Sequence, residues 1–494
     1  MVGPLAYRDA RRPQRVGDFI QRCNMPQETR IEKDSMGPMT VPASALWGAS
    51  TQRAVENFPI SGYRLGRRFI WAMGLIKQCA AEVNAELGVV PKDKTDWIGK
   101  AAQEVIDGKL DEHFVVDVFQ TGSGTSTNMN ANEVIAHRAV QLAGGDKGQI
   151  HPNDHVNQSQ SSNDVIPTAM HVSAAAALKE DLVPALEKLA AGLAAKAKDF
   201  DGIVKIGRTH LQDATPIRLG QEFSGYAAQA KLSVMRANKA INALRELPIG
   251  GTAVGTGINT PKGFGERVSK RLAQKTKIDF VEAADHFEAQ HAKDGFVEAS
   301  GLLRTIAVSM IKIANDIRFL SSGPRCGIGE INLPSTQPGS SIMPGKVNPV
   351  MCEMLMQSAA HAIGADAVVA SAATILGNFD LHVGMPVMAH HFLEAVRILS
   401  NAVRVFNDRC VVGIEANAQR AEELVEQSLA MCTSLAPVIG YDQAAAIAKE
   451  AFKSGKTVRQ VALEQKVVSE EKLRSLLDPR AMTEPGATGG PVGG

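Results

Sequence analysis

The sequence predicts an all-α protein: a long central bundle of helices flanked by two smaller, mainly helical domains. Three observations carry this. Apolar residues recur at steps of three and four, as in Leu302, Ile306, Met310, Ile313, Ile317 and Leu320, which draws one stripe along a helix spanning about 286–320. Similar stretches cover about 165–198, 221–247, 349–375 and 385–412, and most are rich in alanine, which lets helix axes approach closely. Strands and helices do not alternate in a βαβ pattern, and Gly255-Thr256-Gly257-Ile258-Asn259-Thr260 lacks the third glycine of a dinucleotide fingerprint.

Taken in order, residues 1–29 read as a disordered or extra segment, with Met25 an alternative start. Arg8, Arg11, Arg12, Arg15 and Arg22 make it basic, but Asp9 and Asp18 interrupt it and it has no apolar core of a secretory signal. A first domain follows over 30–160, where Trp47, Phe58 and Pro59 break the helical period. The bundle occupies 161–414. A small helical domain covers 415–480, with a helix near 443–451 and a last one capped by Ser469, whose first turn holds Glu470 and Glu471 in favour of the helix dipole. Residues 481–494 are rich in glycine and have nothing to bury, so they read as a flexible tail. Helices this long carry more apolar stripe than one chain covers, which predicts a homo-oligomer built on shared bundles.

Composition limits the function classes. With 53 basic and 52 acidic residues the net charge is +1, so no global field draws the chain to nucleic acid or to an anionic membrane. Cys23, Cys79, Cys326, Cys352, Cys410 and Cys432 are scattered without a CxxC pair. That speaks against zinc and iron–sulfur sites and fits free thiols in a reducing, cytoplasmic compartment. No apolar run is read as approaching the roughly 20 residues of a membrane span. Neither a metal nor a cofactor is expected.

Four polar islands stand out against this helical ground. In Gln120–Asn130 the glycines expose backbone N–H groups around Ser123, Gly124 and Thr125 just ahead of a helix; this reads as an anion site or as a plain capping turn. The second island runs from His151-Pro152-Asn153-Asp154 to Ser161-Ser162-Asn163-Asp164. His151 and His155 share the spacing of a helical metal pair, but Pro152 favours a turn, and Asn163 falls at the entrance of a long helix. The third is Gly207–Pro216, where Thr209 and His210 precede a helix and His210 is placed to carry a proton, unless it is merely structural. The fourth is Gly339-Ser340-Ser341-Ile342-Met343-Pro344-Gly345-Lys346-Val347-Asn348. Ser340, Ser341, Lys346 and Asn348 offer donors to a small anion, and the apolar Ile342-Met343 pair suggests a loop that folds back over something. Five residues separate its glycines and Val347 follows the lysine, so it is not a phosphate loop. Glu353 lies near the start of the next helix, where a carboxylate can orient an imidazole.

The 339–348 stretch resembles the signature loop of the fumarase/aspartase superfamily, and the other islands fall in that family's order over about 31–477. Trp47-Gly48-Ala49-Ser50-Thr51-Gln52-Arg53, Gly207-Arg208-Thr209-His210 and Gly250–Gly257 are most similar to class II fumarases, and His210 stands where aspartases carry glutamine. The resemblance implies a metal-independent carbon–oxygen lyase interconverting fumarate and L-malate, an all-α homotetramer with active sites shared between subunits. It implies Ser340 as the base, and His210 with Glu353 as the pair that activates or protonates water. Ser123, Gly124, Thr125, Ser161, Ser162, Asn163, Thr209, Ser341, Lys346, Val347 and Asn348 would bind the dicarboxylate, and His151, Asn153 and Asp154 would form a second anion site beside Lys147 and Gly148. Aspartate ammonia-lyase and a catalytically silent structural member are the alternatives. A silent protein has no reason to keep Ser340, Lys346 and His210 together.

Overall fold

A computed structural model describes residues 28–145 and 149–486. The expectations for 1–27, for Lys147 and Gly148, and for 487–494 lie outside the described residues. The chain opens with an antiparallel hairpin, β1 (Thr29–Asp34) and β2 (Gly37–Pro42), which starts one residue ahead of the expected boundary at 30. Four helices follow: α1 (Ala49–Asn57), α2 (Arg67–Glu86), α3 (Lys92–Ile106) and α4 (Thr125–Ala143). The first turn of α1 is tied to α4 by Glu133. Its buried carboxylate accepts from the N–H groups of Gly48 (2.8 Å), Ser50 (3.0 Å) and Thr51 (3.2 Å), and from Thr51 Oγ1 (2.5 Å). A carboxylate from another helix thus satisfies the orphan donors that α1's own sequence leaves uncapped.

The bundle begins with α5 (Ser162–Ala177) and α6 (Val183–Asp199), read from the sequence as one helix. A π-helical turn at Leu178–Leu182 joins them, and Pro184, which has no N–H for the carbonyl one turn back, sits just beyond it. A second hairpin, β3 (Val204–Thr209) and β4 (Gln212–Arg218), leads into α7 (Leu219–Ala243), and α8 (Phe264–Thr276) packs outside the bundle on α2. The helix expected over 286–320 is two helices, α9 (His286–His291) and α10 (Asp294–Leu320). Between them Ala292 is extended, and the buried Lys293 donates to the carbonyls of Ala289 (2.8 Å) and Ala292 (2.7 Å), closing α9 with its own ammonium. On α10 the stripe from Ile306 to Leu320 is buried, while Leu302 is half-buried.

Then come α11 (Val350–Ile375) and α12 (Met385–Arg409). α6 packs on α7, α7 on α10, α10 on α11 and α11 on α12, and α12 returns to α5 and α6, so the long helices close a ring around the core. α11 corrects the expectation about apolar runs: it is 26 residues long and apolar enough to cross a membrane by length and composition. It is nevertheless a bundle helix, since Asp366 accepts from Ser300 (2.7 Å) and Arg304 (2.8 Å) on α10.

The last helices are α13 (Ala418–Gln427), α14 (Ala436–Ile439), α15 (Tyr441–Ser454), α16 (Val458–Glu464) and α17 (Glu470–Leu476). Ser469 caps α17 by accepting from Lys472 N–H (3.3 Å). These helices build a second core from Val425, Leu435, Ile447, Val461 and Leu473, and Ile206 of β3 joins it. Residues 481–484 of the expected tail instead dock on the protein. Ala481–Thr483 form a 3-10 turn, Gln221 donates to the Thr483 carbonyl (3.1 Å), and Arg218 pairs with Glu484.

Glu133→Ala should lower stability by about 3 kcal/mol, because three N–H donors lose their acceptor in a dry site. A thermal or denaturant midpoint equal to that of the parent would show that water replaces the carboxylate.

Candidate active site

The first two islands meet. Gly124 caps α4 in the left-handed region (φ 73°) and its side is pressed against Ile166, so only glycine turns the chain there. A Cβ on Gly122 would sit 1.8 Å from the Val383 carbonyl oxygen at the entry to α12. Gln120 Oε1 accepts from Thr127 N–H (3.0 Å) in the first turn of α4, and the N-terminus of that helix sets Ser123 and Thr125 toward the start of α5. Ser123 Oγ lies 2.8 Å from Thr125 Oγ1, which lies 3.0 Å from Ser162 Oγ. Ser161 is the N-cap of α5 in a full capping box with Asp164. Asn163 donates to the Ala253 carbonyl (2.7 Å).

Asp164 organises this corner. Its carboxylate accepts from Ser161 N–H (2.9 Å), Gly250 N–H (3.1 Å) and Thr252 N–H (3.0 Å), so it holds α5 and the 250–257 turn together. Burial pushes its pKa up, against those N–H groups, which pull it down. Beside it the four residues Asn128, Gln160, Ser162 and Thr252 help line a groove of about 730 Å³.

The second anion set adjoins this groove. His151, Asn153 and Asp154 lie at a π-helical turn, Pro152–Val156, with His151 Nδ1 3.1 Å from Asp154 Oδ2 and Asn153 at the groove edge. His155 cannot complete a metal pair as placed. Its Nδ1 accepts from His151 N–H (2.7 Å) and its Nε2 lies 2.9 Å from Lys94 Nζ.

The third and fourth islands lie elsewhere. His210 does not directly precede a helix: it occupies the turn of the β3–β4 hairpin with φ 57°, exposed, and Thr209 beside it ends β3. The base of the hairpin is rigid, because the fully buried Glu330 pairs with Arg208 (2.9 Å) and with the fully buried Lys205 (3.3 Å). In the 339–348 loop, Ser340 Oγ accepts from Ile342 N–H (3.3 Å) and Met343 N–H (3.1 Å). Asn348 Nδ2 donates to the Gly339 carbonyl (2.8 Å), and Gly339 N–H donates to the Lys346 carbonyl (2.7 Å). Ser341, Lys346 and Val347 are exposed, and Ile342 is 84% exposed, so within one chain this pair folds back over nothing. Glu353 sits in the first turn of α11, and it forms no ion pair with His210 within one chain among the described residues.

Topology explains the separation. α7 starts beside the end of α6, where Gly220 N–H reaches the Phe200 carbonyl; α10 starts beside the end of α7, where Gly295 meets Ala243; Ser300 near the start of α10 meets Asp366 near the end of α11. Successive long helices therefore run antiparallel. The starts of α5 and α12 share one end with Ser123, Thr125 and Asn163, while His210, Ser340, Lys346 and Glu353 stand at the other end. A 25-residue helix is about 37 Å long, so no side chain bridges the two halves within one chain.

Sequence reading missed Lys77. It is fully buried on α2, and its Nζ donates to Asn157 Oδ1 (2.9 Å) and Gln160 Oε1 (3.0 Å). Burial pulls its pKa down to about 7, with Asp164 acting in the opposite sense. The signal was a lysine inside the apolar run Leu75-Ile76-Lys77. Another cavity, about 520 Å³ beside Trp71, holds none of the candidate residues, and its Arg68 and Arg397 are already paired with Glu180 and Glu394.

A family described as Lyase matches residues 37–364, and one described as Fumarase C C-terminus matches residues 431–484. The chain is 51% identical over 457 residues to a class II fumarate hydratase of Ralstonia nicotianae, covering 92% of this chain and 99% of the relative. It is 53% identical over 468 residues to the one of Halobacterium salinarum, covering 94% and 99%. The crystal structure of a class II fumarase from Schistosoma mansoni superposes with a TM-score of 0.90 at 37% identity, over 93% of this chain and all of that one.

Asp164→Asn turns an amide toward N–H donors that need an acceptor. It should cost about 2–4 kcal/mol and loosen the 250–257 turn; unchanged amide exchange at Gly250 and Thr252 would show that Asp164 does not hold it.

Proposed function

The chain belongs to the lyase family and, within it, to the class II fumarate hydratases; we propose that it adds water reversibly across fumarate to give L-malate, a step of the tricarboxylic acid cycle, through an aci-carboxylate intermediate. The observation that carries the mechanism is the pair of backbone N–H groups, from Ile342 and Met343, aimed at Ser340 Oγ. A serine is a poor base unless its alkoxide is stabilised, and two fixed donors with the Lys346 ammonium on the same loop act on that charge. Ser340 Oγ takes the C3 proton of L-malate, and the electron pair left behind spreads into the adjacent carboxylate. The C2 hydroxyl then departs with a proton supplied from the His210 side, with Glu353 orienting the imidazole, and fumarate and water result.

Ser123, Thr125, Ser161, Ser162 and Asn163, with Gly124 and the N–H groups of α4 and α5, hold one face of the dianion, where developing charge meets preorganised donors. Thr209, Ser341, Lys346, Val347 and Asn348 hold the other. Because these two sets sit at opposite ends of one bundle, a working site takes them from different chains. That favours a homotetramer with shared sites. Two further observations support association: only 33% of the most apolar window of α11 is buried within one chain, and Ile342 is exposed. His151, Asn153 and Asp154 act as a second anion site at the mouth of the groove. The free thiols Cys79, Cys326, Cys352, Cys410 and Cys432 fit a cytoplasmic enzyme.

Fumarate formation from L-malate, followed by ultraviolet absorbance with a chelator present, should proceed in the wild type and fall at least about 100-fold in Ser340→Ala; full activity in the variant removes the base assignment. Mixed oligomers of two inactive chains, Ser340→Ala and Asn163→Leu, should regain activity that neither shows alone, because an intact site draws its halves from different chains. No recovery after verified mixing, or a light-scattering mass of one chain, would exclude shared sites.

A further inference from the structure

We propose that Lys77 is a positioning residue for the substrate groove: its ammonium fixes the Asn157 and Gln160 side-chain amides, and through them the chain that runs into Ser161, Ser162 and Asn163. This rests on the reading of that groove as the dicarboxylate site. Lys77 lies on α2, behind the lining residues Asn157 and Gln160, and it is 0% exposed. Its Nζ donates to Asn157 Oδ1 (2.9 Å) and Gln160 Oε1 (3.0 Å), so both amide oxygens face the cation. Both NH₂ groups are thereby turned back on the chain itself. Asn157 Nδ2 donates to the Gln160 carbonyl (3.2 Å), and Gln160 Nε2 donates to the carbonyls of Val156 (3.1 Å) and Gln158 (3.0 Å).

One buried donor therefore sets the flip of two amides and helps to fix the stretch 157–160, which lacks regular structure; Asn84 of α2 holds the same stretch by donating to the Gln158 carbonyl (2.9 Å) and accepting from Ser159 Oγ (2.8 Å). Asn128 of α4 donates to the same Asn157 Oδ1 (3.1 Å), which couples this segment to the helix that presents Ser123 and Thr125. A desolvated ammonium is costly to keep, and an apolar residue of the same length fits a dry helix face at least as well. The charge is thus better explained by the ordering of the two amides than by the packing of α2.

The experiment is steady-state kinetics of L-malate dehydration by wild type and Lys77→Met. Absence of activity in the wild type refutes the reading of the site and is distinct from failure of this inference. With the wild type active, Lys77→Met should raise KM for L-malate at least tenfold while kcat stays within threefold, because the Ser340 half of the site is untouched. Unchanged KM in a folded variant overturns the inference, and so does a fall in kcat at unchanged KM, which would put Lys77 in the chemistry. Should Lys77→Met not give soluble protein, Lys77→Gln keeps a donor at the position, and KM should rise at least threefold; unchanged KM there overturns it equally.

Discussion

The constraint on which the rest depends is the length of an α-helix. Five long helical runs that pack side by side and alternate in direction must carry their connections at two ends about 37 Å apart. In this chain the chemically loaded connections divide between those ends: hydroxyls and amides at the starts of α4 and α5, and the serine loop, the histidine and Glu353 at the starts of α7 and α11. The separation is covalent in origin, and no rotamer change relieves it. The proposed shared site follows from that separation, since association of chains would bring the two halves together.

Within each half, order is imposed by groups that never touch the solvent. Asp164 joins the cap of α5 to the 250–257 turn through three N–H donors, and Glu133 does the same for α1 through a helix that passes beside it. Both are buried carboxylates saturated by backbone donors. At Asp164 burial raises the pKa while its three N–H donors, and Lys77 nearby, pull the other way. At the other end, Glu330 does a comparable service for the hairpin, this time with Lys205 and Arg208, so that His210 projects from a base that does not bend.

The two halves also differ in exposure in a way that suits their tasks. The hydroxyl half is recessed, with Ser123 buried and Ser162 half-buried, as befits a cradle for a small anion. The serine loop stands out from its chain, tied across its neck by Asn348 and Gly339, and its apolar Ile342 gains cover only from something outside the protomer. A recessed cradle and a projecting loop are the two parts that the proposed reaction would bring together.

Much was legible without coordinates. The apolar steps in 302–320 mark a helix because a period of three and four has one structural meaning, and Ser469 with two following glutamates marks a helix start for the same local reason. The four islands could be named because hydroxyls, glycines and a lysine so densely set are out of place in an alanine-rich bundle. Sequence reading did not reach the break at Ala292–Lys293, the π turn before Pro184 or the hairpin under His210, which interrupt otherwise continuous apolar patterns, nor the docking of residues 481–484 on β4 and α7, which partners distant in sequence decide. Lys77 shows the limit most clearly. In the sequence it is one charge in an apolar run, whereas its burial against Asn157 and Gln160 exists only because α2 crosses that segment. The sequence by itself determined which chemistry the chain carries. Tertiary structure decided which of those groups share an end of the bundle, because helix direction, unlike residue type, is a property of the packed whole.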